Sequence, residues 1–323
     1  MSALRKLALF LAAGVVLACG LHLVLDAGMR RIRYGAIGAF NRIADGRVNA
    51  DIVITGSSRA YVQYDPDIIQ AATRMTTFNA GRDGANTIIH AGVLRYYLSH
   101  NRKPRLIIEN ADLHSLSYGY DLYAPAQYTP YLHDQAFYSV VKRMPVLQKA
   151  YYLPLYGYVV DDVQFDHYLG LKALFGIQPS ESVRNGFEPV NHGYSEALWN
   201  RWAGKQQKPI SFALLPYCME EMGWLLEDAR TRGIPCIVVF SPVYYRHLVE
   251  IDNRSQVVAT LAQLARQHGA LFWDLSDLSP LSNNKDNFAD WLHMNRQGAT
   301  LFSKFLGERL AAWIGDGELN VSR

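Results

Sequence analysis

The sequence has few cysteines, little net charge and only one long apolar run. Its 323 residues include 3 cysteines, too few for the disulfide framework of a small secreted domain. The 32 Lys and Arg residues nearly balance 29 Asp and Glu residues, so the net charge is +3, without the basic excess of a dedicated nucleic-acid-binding protein. No P-loop, dinucleotide fingerprint or zinc-ligand spacing occurs. We therefore expect no nucleic-acid partner, no cofactor and no metal.

The one long apolar run covers residues 7–25, which read LALFLAAGVVLACGLHLVL and carry no formal charge. As an α-helix the run would measure about 28 Å, close to the ~30 Å hydrocarbon core of a bilayer. It is longer than the apolar core of a cleaved signal peptide and lacks the polar face of a buried helix. We expect residues 1–34 to form an uncleaved anchor in a membrane. Lipidation of Cys19 is the alternative.

The charges that flank this run do not fix its orientation. Arg5 and Lys6 precede it, and three arginines follow it within residues 30–33. No second run of this kind exists, so we expect residues 35–323 to form one body on one side of the membrane.

This body alternates short β-branched runs with amphipathic helical patterns. The predicted strands are 51–56, 76–79, 105–109, 234–240 and 270–274, and the predicted helices are 86–100, 217–231, 254–268 and 295–313. Strands that alternate with helices form a parallel sheet covered on both faces. The pattern therefore predicts an α/β fold with a mainly parallel five-stranded sheet. Active sites in such sheets lie beyond the carboxyl ends of the strands.

Reactive residue types follow these strand ends. The first strand leads into Gly-Ser-Ser-Arg at 56–59, the second into a glycine-rich segment at 79–86, and the last precedes Asp290-Trp-Leu-His293. A serine is a weak nucleophile until a base takes its proton, and that base needs a partner that fixes its tautomer. Because Asp290 and His293 are three residues apart, they would share one face of a helical turn. The carboxylate would then hold one imidazole nitrogen while the other faces the serine.

This ordered set of motifs resembles the SGNH (GDSL-like) hydrolase superfamily. Residues 56–58 match its first block, residues 79–84 its second, and Asp290-x-x-His293 its last. The resemblance implies a flavodoxin-like three-layer α/β/α sandwich. It also implies that Ser58 is the nucleophile, His293 the general base and Asp290 the carboxylate that orients it.

The oxyanion hole implied by the resemblance has one irregular element. The backbone N–H groups of Ser58 and Gly84 match two of its donors. The third block of the superfamily is a Gly-x-Asn-Asp turn, whereas this chain has Glu109-Asn110-Ala-Asp112. Asn110 is the candidate third donor, although the glycine is missing. Loss of one such donor typically costs about 10²–10³ in rate.

The GSSR variant with a DxxHxNxxG ending looks like the membrane-anchored, extracytoplasmic branch, similar to proteins of alginate acetylation and teichoic-acid D-alanylation. This implies an esterase or O-acyltransferase acting on acyl (for example acetyl) groups of an envelope or exported polysaccharide, or of another acylated glycan. It implies a single-pass protein of the bacterial inner membrane with a periplasmic body and a membrane acyl-donor or synthase partner. The alternative is a catalytically silent domain that binds polysaccharide or scaffolds a synthase complex.

Several residues near the strand ends have a functional and a structural interpretation. Arg59 follows the nucleophile and either binds an anionic substrate group or forms a structural ion pair. Tyr244 and Tyr245 follow the fourth strand and are candidates for an acceptor pocket. His114, beside the end of the third strand, is a further candidate for the site.

An insertion of about 100 residues (about 113–215) separates the third and fourth strands, and its segment 117–158 holds 10 of the 20 tyrosines. Tyrosine offers a ring face for a sugar and a hydroxyl for hydrogen bonding. One interpretation is therefore a glycan-binding cap or groove. The other is a helical subdomain whose tyrosines pack against the core or near the membrane headgroups.

Overall fold

The computed structural model describes residues 2–117, 119, 122–160, 166–181, 183–206 and 210–317, and these form an α/β fold around a parallel sheet. The five strands stand in the order β2-β1-β3-β4-β5, and every neighbouring pair is parallel. The strands are β1 (Ile52–Thr55), β2 (Thr77–Asn79), β3 (Leu106–Ala111), β4 (Cys236–Phe240) and β5 (Leu271–Asp274). The predicted parallel sheet is confirmed, and β3 continues two residues past its predicted end.

Helices precede, connect and follow the strands. They are α1 (Ala3–Met29), α2 (Gly35–Ala44), α3 (Ser58–Gln63), α4 (Pro66–Thr73), α5 (Thr87–His100), α6 (Gln135–Val141), α7 (Pro145–Tyr152), α8 (Tyr156–Val159), α9 (Asp166–Leu174), α10 (Glu196–Ala203), α11 (Pro216–Thr231), α12 (Tyr245–Leu248), α13 (Arg254–Gln267) and α14 (Arg296–Gly315). Short 3₁₀ turns lie at Pro125–Gln127, Thr129–Tyr131 and Lys285–Asn287. Asparagine side chains cap two of the predicted helices: Asn86 accepts the Ile89 N–H, and Asn295 accepts the Gly298 N–H.

Both faces of the sheet are covered by helices. On one face, Ile52 and Ile54 pack in a cluster with side chains of α4 and α14. On the other face, Ile107 and Val238 pack with side chains of α11 and α13, and Val53 packs with α5. This double burial explains why β1, β4 and the first half of β3 are nearly continuous apolar runs rather than alternating patterns.

The N-terminal helix α1 is long and apolar enough to cross a membrane, and its most apolar stretch is exposed. Its last turns instead pack on the body, where Leu25 and Met29 are buried with Ala173 of α9. A Cβ on Gly28 would lie 2.4 Å from the carbonyl oxygen of Gly170, so glycine is required for this close approach. The predicted boundary at residue 34 therefore falls within a packed region.

Polar contacts tie the segment after α1 to the rest of the body. The buried Asn41 amide donates to the carbonyl oxygens of Met29 and Ile32, and it accepts the Tyr131 hydroxyl. One turn earlier in α2, the Ala36 carbonyl accepts a hydrogen bond from Arg82. These bonds connect α1 through α2 to the loop that follows β2.

Of the ten described tyrosines of the insertion, four are buried, three are half-buried and three are exposed. Tyr128, Tyr131 and Tyr138 are buried in the cluster that includes Phe40 and Phe137. Tyr118 and Tyr120 lie outside the described residues. The buried rings fit the interpretation in which tyrosines pack against the core, and the exposed rings do not pack there.

The insertion also reaches the outer side of β2. The Asn79 N–H donates to the carbonyl oxygen of Asn185, and a Cβ on Gly186 would lie 1.7 Å from the Asn79 carbonyl oxygen. Residues 184 and 187 form a small antiparallel bridge that holds this contact. Cys218 and Cys236 are buried, and no disulfide joins them.

Candidate active site

A serine, a histidine and an aspartate form a hydrogen-bonded chain at the carboxyl end of the sheet. The Ser58 Oγ lies 2.8 Å from Nε2 of His293. The other imidazole nitrogen, Nδ1, lies 2.8 Å from Oδ2 and 3.1 Å from Oδ1 of Asp290. With the proton on Nδ1, the imidazole donates to Asp290 and can accept the serine proton at Nε2.

The turn between β1 and α3 places Ser58 at the start of a helix. Gly56 has a φ of +147°, and a Cβ there would lie 2.7 Å from the Cβ of Ala60 and 2.8 Å from the Cβ of Asn110. Only glycine tolerates both this backbone conformation and this crowding. The chain therefore turns sharply after β1, and Ser58 begins α3 with a half-buried side chain.

Asp290 and His293 lie in a loop, not on the helical turn that their spacing predicts, since α14 begins only at Arg296. The Asp290 Oδ1 accepts the N–H groups of Leu292 at 2.7 Å and of His293 at 2.8 Å, which close the loop around the carboxylate. Burial raises the pKa of Asp290, but the hydrogen bonds and charge of His293 outweigh it, so the pKa lies below its ordinary value. The residue is thus a carboxylate at neutral pH.

A cavity of about 290 Å³ surrounds the Ser58–His293 pair. Its wall includes residues of the β1–α3 turn, the loop after β2, the first turns of α5 and the segment after β3. The lining residues are Ser57, Ser58, Arg59, Asp83, Gly84, Ala85, Asn86, Thr87, His90, Asp112, His114, Ser115, Leu292 and His293. The cavity is at the small end of the range for ligand pockets, which fits a short acyl group.

Two predicted oxyanion donors line this cavity. Ser58 is the first residue of α3, where backbone N–H groups have no acceptor within the helix. Gly84 has a φ of +60°, and a Cβ there would lie 2.3 Å from the Cβ of Tyr123. The neighbouring Asp83 carboxylate also lines the cavity, and burial raises its pKa.

Asn110, the predicted third donor, does not line the cavity. Alternate side chains of a strand point to opposite faces, and Asn110 shares a face with Ile108, on the side of α4 and α14. Its side chain is fully buried, and its Oδ1 accepts the Tyr64 hydroxyl at 2.8 Å. Asp112, just beyond the strand, reaches the cavity in its place.

Asp112 is a site residue that the sequence reasoning did not single out. Its Oδ2 accepts the Ser57 hydroxyl at 2.8 Å, and its Oδ1 accepts the N–H groups of His114 and Ser115. Burial raises the pKa of Asp112, but the positive charge of Arg59 and these hydrogen bonds bring it below its ordinary value. The missed signal is its place at the carboxyl end of β3, two residues after Asn110.

Arg59 makes structural contacts and also lines the cavity. Its side chain is 2% exposed, and its guanidinium donates to the carbonyl oxygens of Ser241 and Pro242 after β4. It also lies over the Phe240 ring, with the guanidinium carbon 5.6 Å from the ring centroid. These carbonyls bind only Nη2: Nε and Nη1 are buried without a hydrogen-bond partner among the described residues.

Tyr244 and Tyr245 lie outside the lining of the cavity. The buried Tyr244 ring packs against Tyr194 and Phe288, and Tyr245 packs edge-on against Tyr244. His114 does line the cavity, and burial lowers the pKa of its imidazole. The structure thus places the candidate His114 at the site and the two tyrosines beside it.

A cluster of indole rings adjoins the catalytic loop. Trp291, between Asp290 and Leu292, stacks on Trp202 with ring centroids 5.0 Å apart, and Trp199 contacts both rings. Trp291 and Trp202 are partly exposed. Partly exposed aromatic faces of this kind can contact sugar rings. Among the described residues no group of His, Cys, Asp and Glu is arranged to hold a metal ion.

Comparisons with known proteins add little to this description. No family model matches the chain, and no curated protein matches it. Among solved structures, one crystal structure aligns over 82% of this chain and 97% of its own length, with 12% identity and a TM-score of 0.34. A likeness this weak carries no argument about fold or function. Functional inference therefore depends on the geometry of the site.

Proposed function

We propose that the protein is a serine-dependent acyl esterase or O-acyltransferase that acts through an acyl-Ser58 intermediate. The observation that carries the proposal is the continuous hydrogen-bond chain Ser58–His293–Asp290, whose serine and histidine line a small cavity. Each contact has the distance that proton transfer and tautomer control require. The strand order β2-β1-β3-β4-β5 further supports a flavodoxin-like three-layer sandwich of the SGNH type.

The reaction begins as Ser58 Oγ attacks the carbonyl carbon of an ester. His293 Nε2 takes the hydroxyl proton, while Asp290 stabilises the imidazolium that forms. The backbone N–H groups of Ser58 and Gly84 donate to the oxyanion. His293 then gives its proton to the departing alcohol, which leaves an acyl-Ser58 ester. Water or a sugar hydroxyl, deprotonated by His293, attacks this ester and restores the serine.

The substrate class follows from the resemblance and from the surroundings of the cavity. We propose a short acyl group, such as acetyl, carried by an envelope or exported polysaccharide. The small cavity accommodates such a group, and the partly exposed rings of Trp202 and Trp291 supply aromatic surface beside the catalytic loop. Placement of α1 in the bacterial inner membrane, with the body on the periplasmic side, would bring the site close to a membrane acyl donor or synthase.

Labelling with a fluorophosphonate tests the nucleophile directly. The full-length protein in detergent should react at Ser58 and hydrolyse nitrophenyl acetate. Ser58→Ala should lose both reactions, whereas the adjacent Ser57→Ala should still label, because its hydroxyl points to Asp112 and not to His293. If the wild type fails to label, or Ser58→Ala labels equally, the proposed function is wrong.

Mass spectrometry of acyl-Ser58 separates the two reactions that share this intermediate. The protein is acylated with nitrophenyl acetate and then mixed with water alone or with oligosaccharide acceptors. An esterase deacylates at the same rate in both. A transferase deacylates faster with the acceptor and yields an acylated oligosaccharide.

A catalytically silent domain is the second candidate, and two observations favour it. Asn110 is absent from the cavity, and two carboxylates, Asp83 and Asp112, line the space where an oxyanion would form. Negative charge there opposes oxyanion formation unless the substrate displaces it. Binding of polysaccharide by the full chain, equal in wild type and Ser58→Ala and without turnover, would support this candidate.

A further inference from the structure

Large exposed apolar side chains occur on three helices of the insertion, of which α8 and α9 contact the last turns of α1 and α7 contacts α8. They include Tyr152, Leu153, Val159, Val160 and Tyr168, which belong to the helices α7, α8 and α9 or directly follow them. Helix α9 packs along α1, and α8 is bonded to it. A protein surface that faces only water seldom carries this much exposed apolar area, which is typical of a surface that binds a partner or a membrane.

Polar contacts mark the level at which α1 meets these helices. The Tyr158 hydroxyl donates to Asp26, the Leu155 N–H donates to Nδ1 of His22, and His22 lies 3.6 Å from Asp26. A carboxylate is costly inside hydrocarbon, so Asp26 belongs at or beyond the headgroups. Residues 7–25 of α1, which end just before Asp26 and carry no formal charge, then span about 28 Å at ~1.5 Å per residue, which matches the hydrocarbon thickness.

The direction of α9 shows which of its residues lie closest to the bilayer. Gly170 lies opposite Gly28, and the carbonyl oxygen of Leu174 accepts a hydrogen bond from Arg31. The two helices therefore run in the same direction, away from the apolar part of α1. Tyr168 in the first turn of α9 is consequently near the level of Asp26, and the exposed Phe175 at its far end is not.

Two lysines place positive charge beside the aromatic rings of this surface. The Lys149 ammonium lies 5.8 Å from the centroid of the Tyr156 ring, and the Lys172 ammonium lies 4.5 Å from that of Tyr168. Lysines beside aromatic rings suit the interface, because the rings enter the headgroup region and the ammonium groups meet lipid phosphates.

We propose that residues 152–153, 159–160 and 168 form a second membrane contact, which rests in the headgroup region of the same bilayer that α1 spans. This contact fixes the rotation and tilt of the body about its anchor, so the catalytic cavity faces the membrane at a set angle. The inference depends on the membrane placement of α1 given under the proposed function.

An environment-sensitive fluorophore attached at a single exposed cysteine tests the contact in the full chain, since Cys218 and Cys236 are buried. The protein is reconstituted into vesicles of phosphatidylcholine and phosphatidylglycerol that carry a doxyl quencher either near the headgroup or near the bilayer centre. The test variant is Val159→Cys and the matched control Val249→Cys, both with Cys19→Ala. These valines are 77% and 75% exposed, and Val249 lies after α12 beyond β4, away from α1.

The expected result is a blue-shifted emission at position 159 that the headgroup quencher reduces more strongly than the central one, with no change at position 249. Equal, lipid-independent emission at both positions would overturn the proposal. So would a blue shift at 159 without lipid quenching, since that outcome indicates a protein interface. A third protein labelled at the native Cys19 monitors α1 itself. If the central quencher does not reduce the emission at Cys19, the membrane placement of α1 is wrong. Quenching at Cys19 without quenching at position 159 rejects only the second contact.

Discussion

Asp290→Asn should separate the two tasks of this carboxylate. Its Oδ1 accepts the N–H groups of Leu292 and His293 at 2.7 and 2.8 Å, and its Oδ2 lies 2.8 Å from Nδ1 of His293. The amide oxygen of asparagine can keep the two backbone bonds and preserve the loop. Its NH₂ group then takes the position of Oδ2. Because an NH₂ group only donates, Nδ1 must lose its proton and Nε2 must carry it.

An imidazole with its proton on Nε2 cannot accept the Ser58 proton across the 2.8 Å that separates them. We expect kcat to fall about 10⁴-fold, which corresponds to ~5.4 kcal/mol at ~1.36 kcal/mol per factor of ten. The midpoint of thermal unfolding should stay close to that of the wild type, since the bonds that close the loop remain. The variant therefore loses chemistry without losing structure.

Single-turnover release of nitrophenolate from nitrophenyl acetate measures this loss. Asp286→Asn is the matched control, because this substitution makes the same chemical change at an exposed side chain earlier in the same loop. The control should retain wild-type kinetics. A loss below about tenfold in Asp290→Asn, less than ~1.4 kcal/mol, would refute the assigned role of the carboxylate. A large fall in thermal stability would show that its main role is structural.

Three further predictions follow from single positions. Gly84→Ala should slow acylation of Ser58 by about 10²-fold in stopped-flow assays, because its Cβ would strike Tyr123 and displace an oxyanion donor; unchanged kinetics would exclude this N–H. Burial raises the pKa of Glu221 from 4.5 to about 7. Folding therefore disfavours its charged form, and stability should be full below pH 4.5, fall as pH rises to about 7 and stay constant above. Glu221→Gln should abolish this decrease in the free energy of unfolding, which is on the order of 3 kcal/mol. Denaturant unfolding of both proteins at pH 5 and 8 measures it, and an equal pH dependence in the two proteins would contradict the prediction. Gly28→Leu should separate α1 from α9, since a Cβ there already lies 2.4 Å from the Gly170 carbonyl oxygen; faster proteolysis between residues 29 and 35 would show this, and wild-type resistance would contradict it.

The sheet was predictable because its strands carry their signal locally. Buried parallel strands need continuous β-branched or aliphatic runs, and the segments at β1, β3 and β4 have them. The triad candidates were predictable for a related reason. Chemistry in such folds concentrates at the carboxyl ends of strands. Ser58 follows the end of β1, and Asp290 and His293 lie between the last strand and the last helix.

Other parts of the site depend on geometry that sequence spacing does not carry. Asn110 and Asp112 would share a face in a continuing strand, so side-chain alternation does not distinguish them. Asp112 reaches the cavity because β3 ends at Ala111, two residues later than predicted, and the chain leaves the strand there. The Asp290–His293 pair was expected on a helix, because spacing alone does not distinguish a helical turn from a loop closed around a carboxylate. The burial of Tyr128 and Tyr131 results from packing against Phe40, which is far away in sequence.

The contact between the insertion and Asn79 has a consequence for solubility. Strand β2 is an edge strand of the sheet. The free backbone N–H and C=O groups of an edge strand can pair with strands of other molecules. The Asn185 carbonyl oxygen accepts the Asn79 N–H, and Gly186 packs against the Asn79 carbonyl oxygen. The insertion thus covers this edge and prevents intermolecular strand pairing. A shortened protein that keeps the triad but omits residues 113–215 would expose this edge and aggregate, even with every catalytic residue present.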